Sequence, residues 1–88
     1  MHIKINDFKK AGWNCSKFTA VKTIYDEESN LKYIKSATFD ELGDIDTFSI
    51  DITDSVVNYI EIQIDDISTI EELEKTAKDL YLAIKGLE

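Results

Sequence analysis

The apolar residues of this chain change their spacing once, and that change constrains the fold more than any other feature. Phe48, Ile50 and Ile52 alternate with Thr47, Ser49, Asp51 and Thr53; Ile60, Ile62 and Ile64 alternate with Tyr59, Glu61, Gln63 and Asp65. A period of two describes strands with one buried face and one wet face. From Ile70 onward the spacing becomes three and four, through Ile70, Leu73, Ala77, Leu80, Ile84 and Leu87, with Tyr81 widening the stripe. That period describes an amphipathic helix. A helix that follows a half-buried hairpin covers its apolar face, which gives an α+β architecture.

The rest of the chain fills in this plan. Ile5 to Trp13 reads as a short helix, capped by Asn6 or Asp7, ended at Gly12 and anchored by Phe8 and Trp13. The alternation of Met1, Ile3 and Ile5 leaves a short strand open as the other reading. Lys17 to Tyr25 and Leu31 to Phe39 are rich in strand formers and flank a polar turn at 26–30, which makes a hairpin of unfixed register. Residues 40–45 form a loop or a single helical turn. The last helix has two readable capping boxes, Ser68 with Glu71 or Thr69 with Glu72. Acids at its start and Lys78 and Lys85 in its second half suit the dipole, and Gly86 can end it. The expectation is one domain, residues 1–88. It is a four-stranded antiparallel sheet of two hairpins, with a short N-terminal helix and a longer C-terminal helix packed on one face.

Charge is segregated along this plan. No lysine lies between Lys35 and Lys75, yet twelve acids do: Asp40, Glu41, Asp44, Asp46, Asp51, Asp54, Glu61, Asp65, Asp66, Glu71, Glu72 and Glu74. The net charge of the 88 residues is −8, and all ten basic residues are lysines. The arginine fork that grips phosphates and base edges is missing, so direct nucleic-acid binding is not expected. Anionic membranes repel such a chain, and no apolar run approaches the ~20 residues that span a bilayer. One cysteine, Cys15, rules out an internal disulfide and reads as a structural thiol. The polar start at Met1–Asp7 is unlike a signal peptide, which points to the cytoplasm.

The acids also define the candidate site. With the third and fourth strands turning near Val56, Asp51 falls opposite Glu61, Ser49 opposite Gln63 and Thr47 opposite Asp65 on the wet face. Like charges so opposed destabilise a sheet, and a shift of two residues removes the opposition. Tyr59 points to the same face by parity, with Tyr25 or Tyr33 as possible neighbours. Same-face residues recur about every 6.7 Å, of the order of the spacing between phosphates on a nucleic-acid strand. The expected partner-binding set is Asp40, Glu41, Asp44, Asp46, Asp51, Asp54, Tyr59, Glu61 and Asp65. Other uses of these acids are weaker. Asp51, Asp54 and Glu61 as an acid–base group lack a desolvating pocket. Asp40, Asp44 and Asp46 lack the D-x-D-x-D-G run and distal glutamate of a calcium loop. No enzyme activity, metal or cofactor is expected.

In length, charge and want of catalytic motifs the chain resembles the small acidic proteins of phages and mobile elements, including DNA-mimic and anti-CRISPR inhibitors. The resemblance implies a decoy that occupies a basic, nucleic-acid-handling protein as a monomer or weak dimer. The alternative is a structural or regulatory subunit that docks through its C-terminal helix or a sheet edge, its acids only solvating.

Overall fold

The structure is a computed structural model and describes residues 3–26, 28, 31–53, 55 and 57–87, with Asp26, Leu31 and Lys32 described by their backbone alone. The elements run α1 (Ile5–Lys10), β1 (Asn14–Cys15), β2 (Thr19–Asp26), β3 (Leu31–Phe39), β4 (Ile45–Ile52), β5 (Tyr59–Glu61) and α2 (Ile70–Lys85). The strands form one antiparallel meander in chain order, β1-β2-β3-β4-β5. The α+β plan with a short and a long helix is the expected one, with five strands instead of four. The extra strand, β1, is only two residues long and pairs Asn14 with Val21 and Cys15 with Ala20. It is too short to have a period.

The inner face of the sheet carries Ala20, Tyr33, Ala37, Phe39, Ile45, Phe48, Ile50 and Ile52, all buried. From α2 come Leu73, Ala77, Tyr81 and Ile84; from the N-terminal segment come Ile3, Phe8 and Trp13. Phe8 packs edge-on against Trp13 at 4.8 Å and Phe39 at 5.2 Å, a geometry the ring quadrupoles favour. Tyr33 stacks on Tyr81 at 4.2 Å. Ile45 lies three positions before Phe48, which would break the alternation. The pairing shifts between Thr38 and Phe39, and Asp46 is the extra residue that lets both apolar side chains face inward.

Local chemistry sets the ends of the helices. Thr69 Oγ1 accepts the Glu72 N–H at 3.2 Å, so Thr69 and not Ser68 is the N-cap of α2. α1 is shorter than the Ile5–Trp13 expectation and stops at Lys10. Its Asp7 carboxylate accepts the Lys4 N–H at 2.9 Å. Gly12 takes φ +85°, and the chain leaves the helix so that Trp13 enters the core. The segment before α1 does make one isolated bridge, Lys4 with Asp44, and Ile45 N–H bonds the Ile3 carbonyl at 3.1 Å. Leu87, expected in the helical stripe, is exposed beyond the end of α2. Ile62 is buried, its N–H bonded to the Phe48 carbonyl at 2.7 Å just past the end of β5, whereas Ile60, paired with Ile50 on the edge strand, and Ile64 beyond the strand are only half-buried. Among the described residues no helix is long and apolar enough to cross a membrane.

Two inner-face residues break the apolar rule, half-buried Lys22 and, opposite it, buried Lys35. Lys35 lies between Tyr33 and Ala37, with 5% of its side chain exposed. Its Nζ bonds Glu74 Oε2 of α2 at 2.9 Å and sits 5.0 Å from the centre of the Trp13 ring. The ammonium is thus satisfied by a carboxylate and a π face at the point where α2 crosses the sheet.

Candidate protein-docking face

The register of β4 and β5 decides how the acids are arrayed. Ser49 pairs with Glu61, Ile50 with Ile60 and Asp51 with Tyr59. The expected opposition of Asp51 to Glu61 is therefore wrong by two residues. The strand ends at Glu61, so Thr47–Asp65 and Ser49–Gln63 do not pair within it either. Asp51 and Glu61 are diagonal neighbours, for which about 7–8 Å between backbones is usual. The diagonal relieves most of the like-charge cost while leaving two carboxylates on one face.

Asp46, Glu61 and Asp65 line one shallow depression of about 180 Å³, together with Thr47, Gln63 and the edges of Ile62 and Ile64. All three acids are exposed, and among the described residues no lysine lines the depression. The bulge matters here, since the extra residue it accommodates is Asp46, on the same flank as Glu61. Tyr59 is 58% exposed and pairs with Asp51 on the outer face. Asp51, Tyr59, Glu61, Asp46 and Asp65 therefore belong to one continuous strip along the β4–β5 side.

The remaining candidates divide. Asp40 caps the β3–β4 turn: its Oδ1 accepts N–H groups from Leu42 at 2.9 Å and Asp44 at 3.0 Å. Gly43 completes that turn at φ +83°, its N–H bonded to the Asp40 carbonyl at 3.0 Å. Asp44 pairs with Lys4 at 2.5 Å. These two acids hold the turn, and only Glu41 beside them is exposed with no such bond among the described residues. Asp54 lies outside the described residues. Asp66, which sequence reading passed over, is exposed next to Asp65. Tyr25 lies at the opposite side of the sheet, on β2, and Tyr33 faces inward, so neither neighbours Tyr59. Among the described residues no three His, Cys, Asp or Glu side chains are grouped to hold a metal ion. Cys15 is half-buried, with its thiol directed at the Trp13 carbonyl at 3.5 Å.

Sequence reading missed a second concavity. An open groove of about 500 Å³ runs between β2 and the C-terminal half of α2, and Lys78 and Lys85 line it. Their spacing of seven on one helix was a usable signal, since residues two turns apart share a face. No protein-family model, curated relative or solved structure matches the chain.

Proposed function

We propose that this chain is a non-enzymatic binding domain that sets its acidic β4–β5 strip against a basic surface of another protein. The observation that carries this reading is the convergence of Asp46, Glu61 and Asp65 on one depression free of lysine, with Asp51 and Tyr59 continuing the strip. Exposed carboxylates lack the desolvation that tunes an acid or base for catalysis, so this strip suits electrostatic docking better than chemistry. Tyrosine amid the charges supplies the amphipathic anchor common in protein interfaces. The diagonal of Asp51 and Glu61, about 7–8 Å, is of the order of the spacing between phosphates along a strand. The partner class that fits best is therefore a protein whose lysines and arginines form a nucleic-acid groove, which this domain would occupy as a decoy.

The test is capture from a lysate of the native host on the immobilised domain, at low and high salt, with mass spectrometry of the eluate. The same capture is run on a triple reversal, Asp46→Lys, Glu61→Lys and Asp65→Lys. Basic nucleic-acid-handling proteins should be retained by the parent, released by salt and lost by the reversal. Retention unchanged by the reversal, but abolished by changes on α2 or at the β2 edge, would refute the acidic-strip reading. It would leave the docking-subunit alternative.

A further inference from the structure

Among the described residues β2 has no strand partner on its β1 side beyond Val21, and a specific device leaves it so. β1 pairs with β2 only at Ala20 and Val21. Carried backward, β1 would next set Trp13 and Gly12 beside Lys22 and Thr23. Instead the Trp13 side chain enters the core, and Gly12, at φ +85°, turns the chain into α1. Backbone direction alternates along an antiparallel strand. The Phe18 carbonyl bonds Phe39 on the β3 side, and the Thr19 carbonyl bonds Ser16 on the β1 side. By that alternation Thr23 turns its N–H and C=O groups toward that edge. Thr23 and Tyr25 are exposed and Ile24 between them is half-buried, and all three are strong strand formers. The opposite edge, at β5, is instead guarded by Glu61 and Asp65, the kind of charge that discourages pairing.

The groove lies beside this edge. Ile24 and Tyr33 form its floor, and Lys78, Tyr81, Leu82 and Lys85 of α2 its wall. Lys78 makes no ion pair among the described residues, and Leu82 is 49% exposed. Glu28 is the one acid at its rim among the described residues. In a chain of charge −8, the described residues that line this groove hold two lysines against one acid. An open trough flanked on one side by a strand edge and on the other by a helix suits an extended chain: backbone bonds supply affinity, and every second side chain meets the wall.

We infer that the β2 edge and the adjoining α2 groove bind an extended segment of a partner protein, added as an antiparallel sixth strand with acidic side chains turned toward Lys78 and Lys85. This surface is separate from the acidic strip, and its test does not depend on that reading. A second copy of the chain is a poorer occupant, because its own Lys22 and lysine-lined groove would meet theirs.

The test is titration of the ¹⁵N-labelled domain with a capped heptapeptide of alternating Glu and Val, followed by amide chemical shifts. Controls are the Lys/Val counterpart and the Glu/Val peptide N-methylated at alternate residues, which cannot complete a ladder. Expected are shifts confined to Thr23–Tyr25 and to residues 78–85, slowed hydrogen exchange of the Thr23 amide, and at least tenfold weaker binding of both controls. Lys78→Glu with Lys85→Glu should weaken the acidic peptide at least tenfold and bring the Lys/Val peptide up. Thr23→Pro removes one edge donor and should abolish binding with the far-ultraviolet spectrum unchanged; the N-methyl control decides the matter if that variant does not fold. No shift up to millimolar peptide, shifts at β5 or on the outer sheet face, indifference to N-methylation, or a concentration-dependent dimer in light scattering would each overturn the inference.

Discussion

Glu74→Gln should destabilise the domain more than any other single change at a partly exposed residue. The Lys35 ammonium is withdrawn from water, and among the described residues Glu74 is the one carboxylate paired with it. Removing one partner of a buried pair costs about 3–5 kcal/mol, because a charge is left uncompensated. Glu74 keeps 30% of its side chain exposed, so water can reach the site and the low end, about 3 kcal/mol, is expected. The Trp13 face retains some attraction, about 0.5–2 kcal/mol, which also favours the low end. In a domain of this size 1 kcal/mol moves the melting temperature by about 4–8 °C, so the variant should melt about 12–24 °C lower. Lys35→Met with Glu74→Leu should return to within about 1 kcal/mol of the parent or exceed it, since apolar residues replace such pairs well. Trp13 is the only tryptophan and is buried against the pair, so its fluorescence during urea unfolding reports both states. A loss below 1 kcal/mol for Glu74→Gln, or additive losses in the double variant, would refute the idea of a buried charge held by one partner.

The other predictions test packing, backbone and charge separately. Ile62→Ala should cost about 2–5 kcal/mol in urea unfolding, and Ile64→Ala clearly less, since Ile62 is buried and Ile64 half-buried. Gly12→Ala should cost about 1–2 kcal/mol through backbone strain alone, because a Cβ there meets nothing within 4 Å. Trp13→Phe should cost less than Phe8→Ala in the same assay, because the buried indole N–H has no hydrogen-bond partner among the described residues and its removal offsets part of the lost packing. Mg²⁺, Mn²⁺, Ca²⁺ or Zn²⁺ should leave the melting temperature unmoved, whereas a site saturated a hundredfold would add about 2.7 kcal/mol.

The sequence exposed those elements whose period survives into packing. The α2 stripe is legible because Leu73, Ala77 and Ile84 meet the sheet, and β4 because Phe48, Ile50 and Ile52 keep one parity. The register of β5 was not legible. It depends on the connection between Ile52 and Tyr59, and alternation alone fits equally well two residues away. The acidic strip was half legible: Asp51, Tyr59 and Glu61 fall on the expected face, while Asp40 and Asp44 turned out to be occupied in holding a turn. Lys35 was hidden by its residue type, although its parity with Tyr33, Ala37 and Phe39 placed it inward. The groove was hidden because it is assembled from β2, β3 and α2, which share no local signal.

The meander has a consequence for how the chain reaches this state. Every strand pairs with its neighbour in sequence, so each pairing closes only a short loop and little chain entropy opposes it. Lys35 to Glu74, by contrast, joins residues 39 apart. Strand pairing is thus local, while α2 joins the sheet through contacts that are distant in sequence. A placement of α2 that left the buried ammonium without Glu74 would carry the cost of an uncompensated charge. The Lys35–Glu74 pair is in this sense an alignment pin, which disfavours shifted placements of α2 on the sheet.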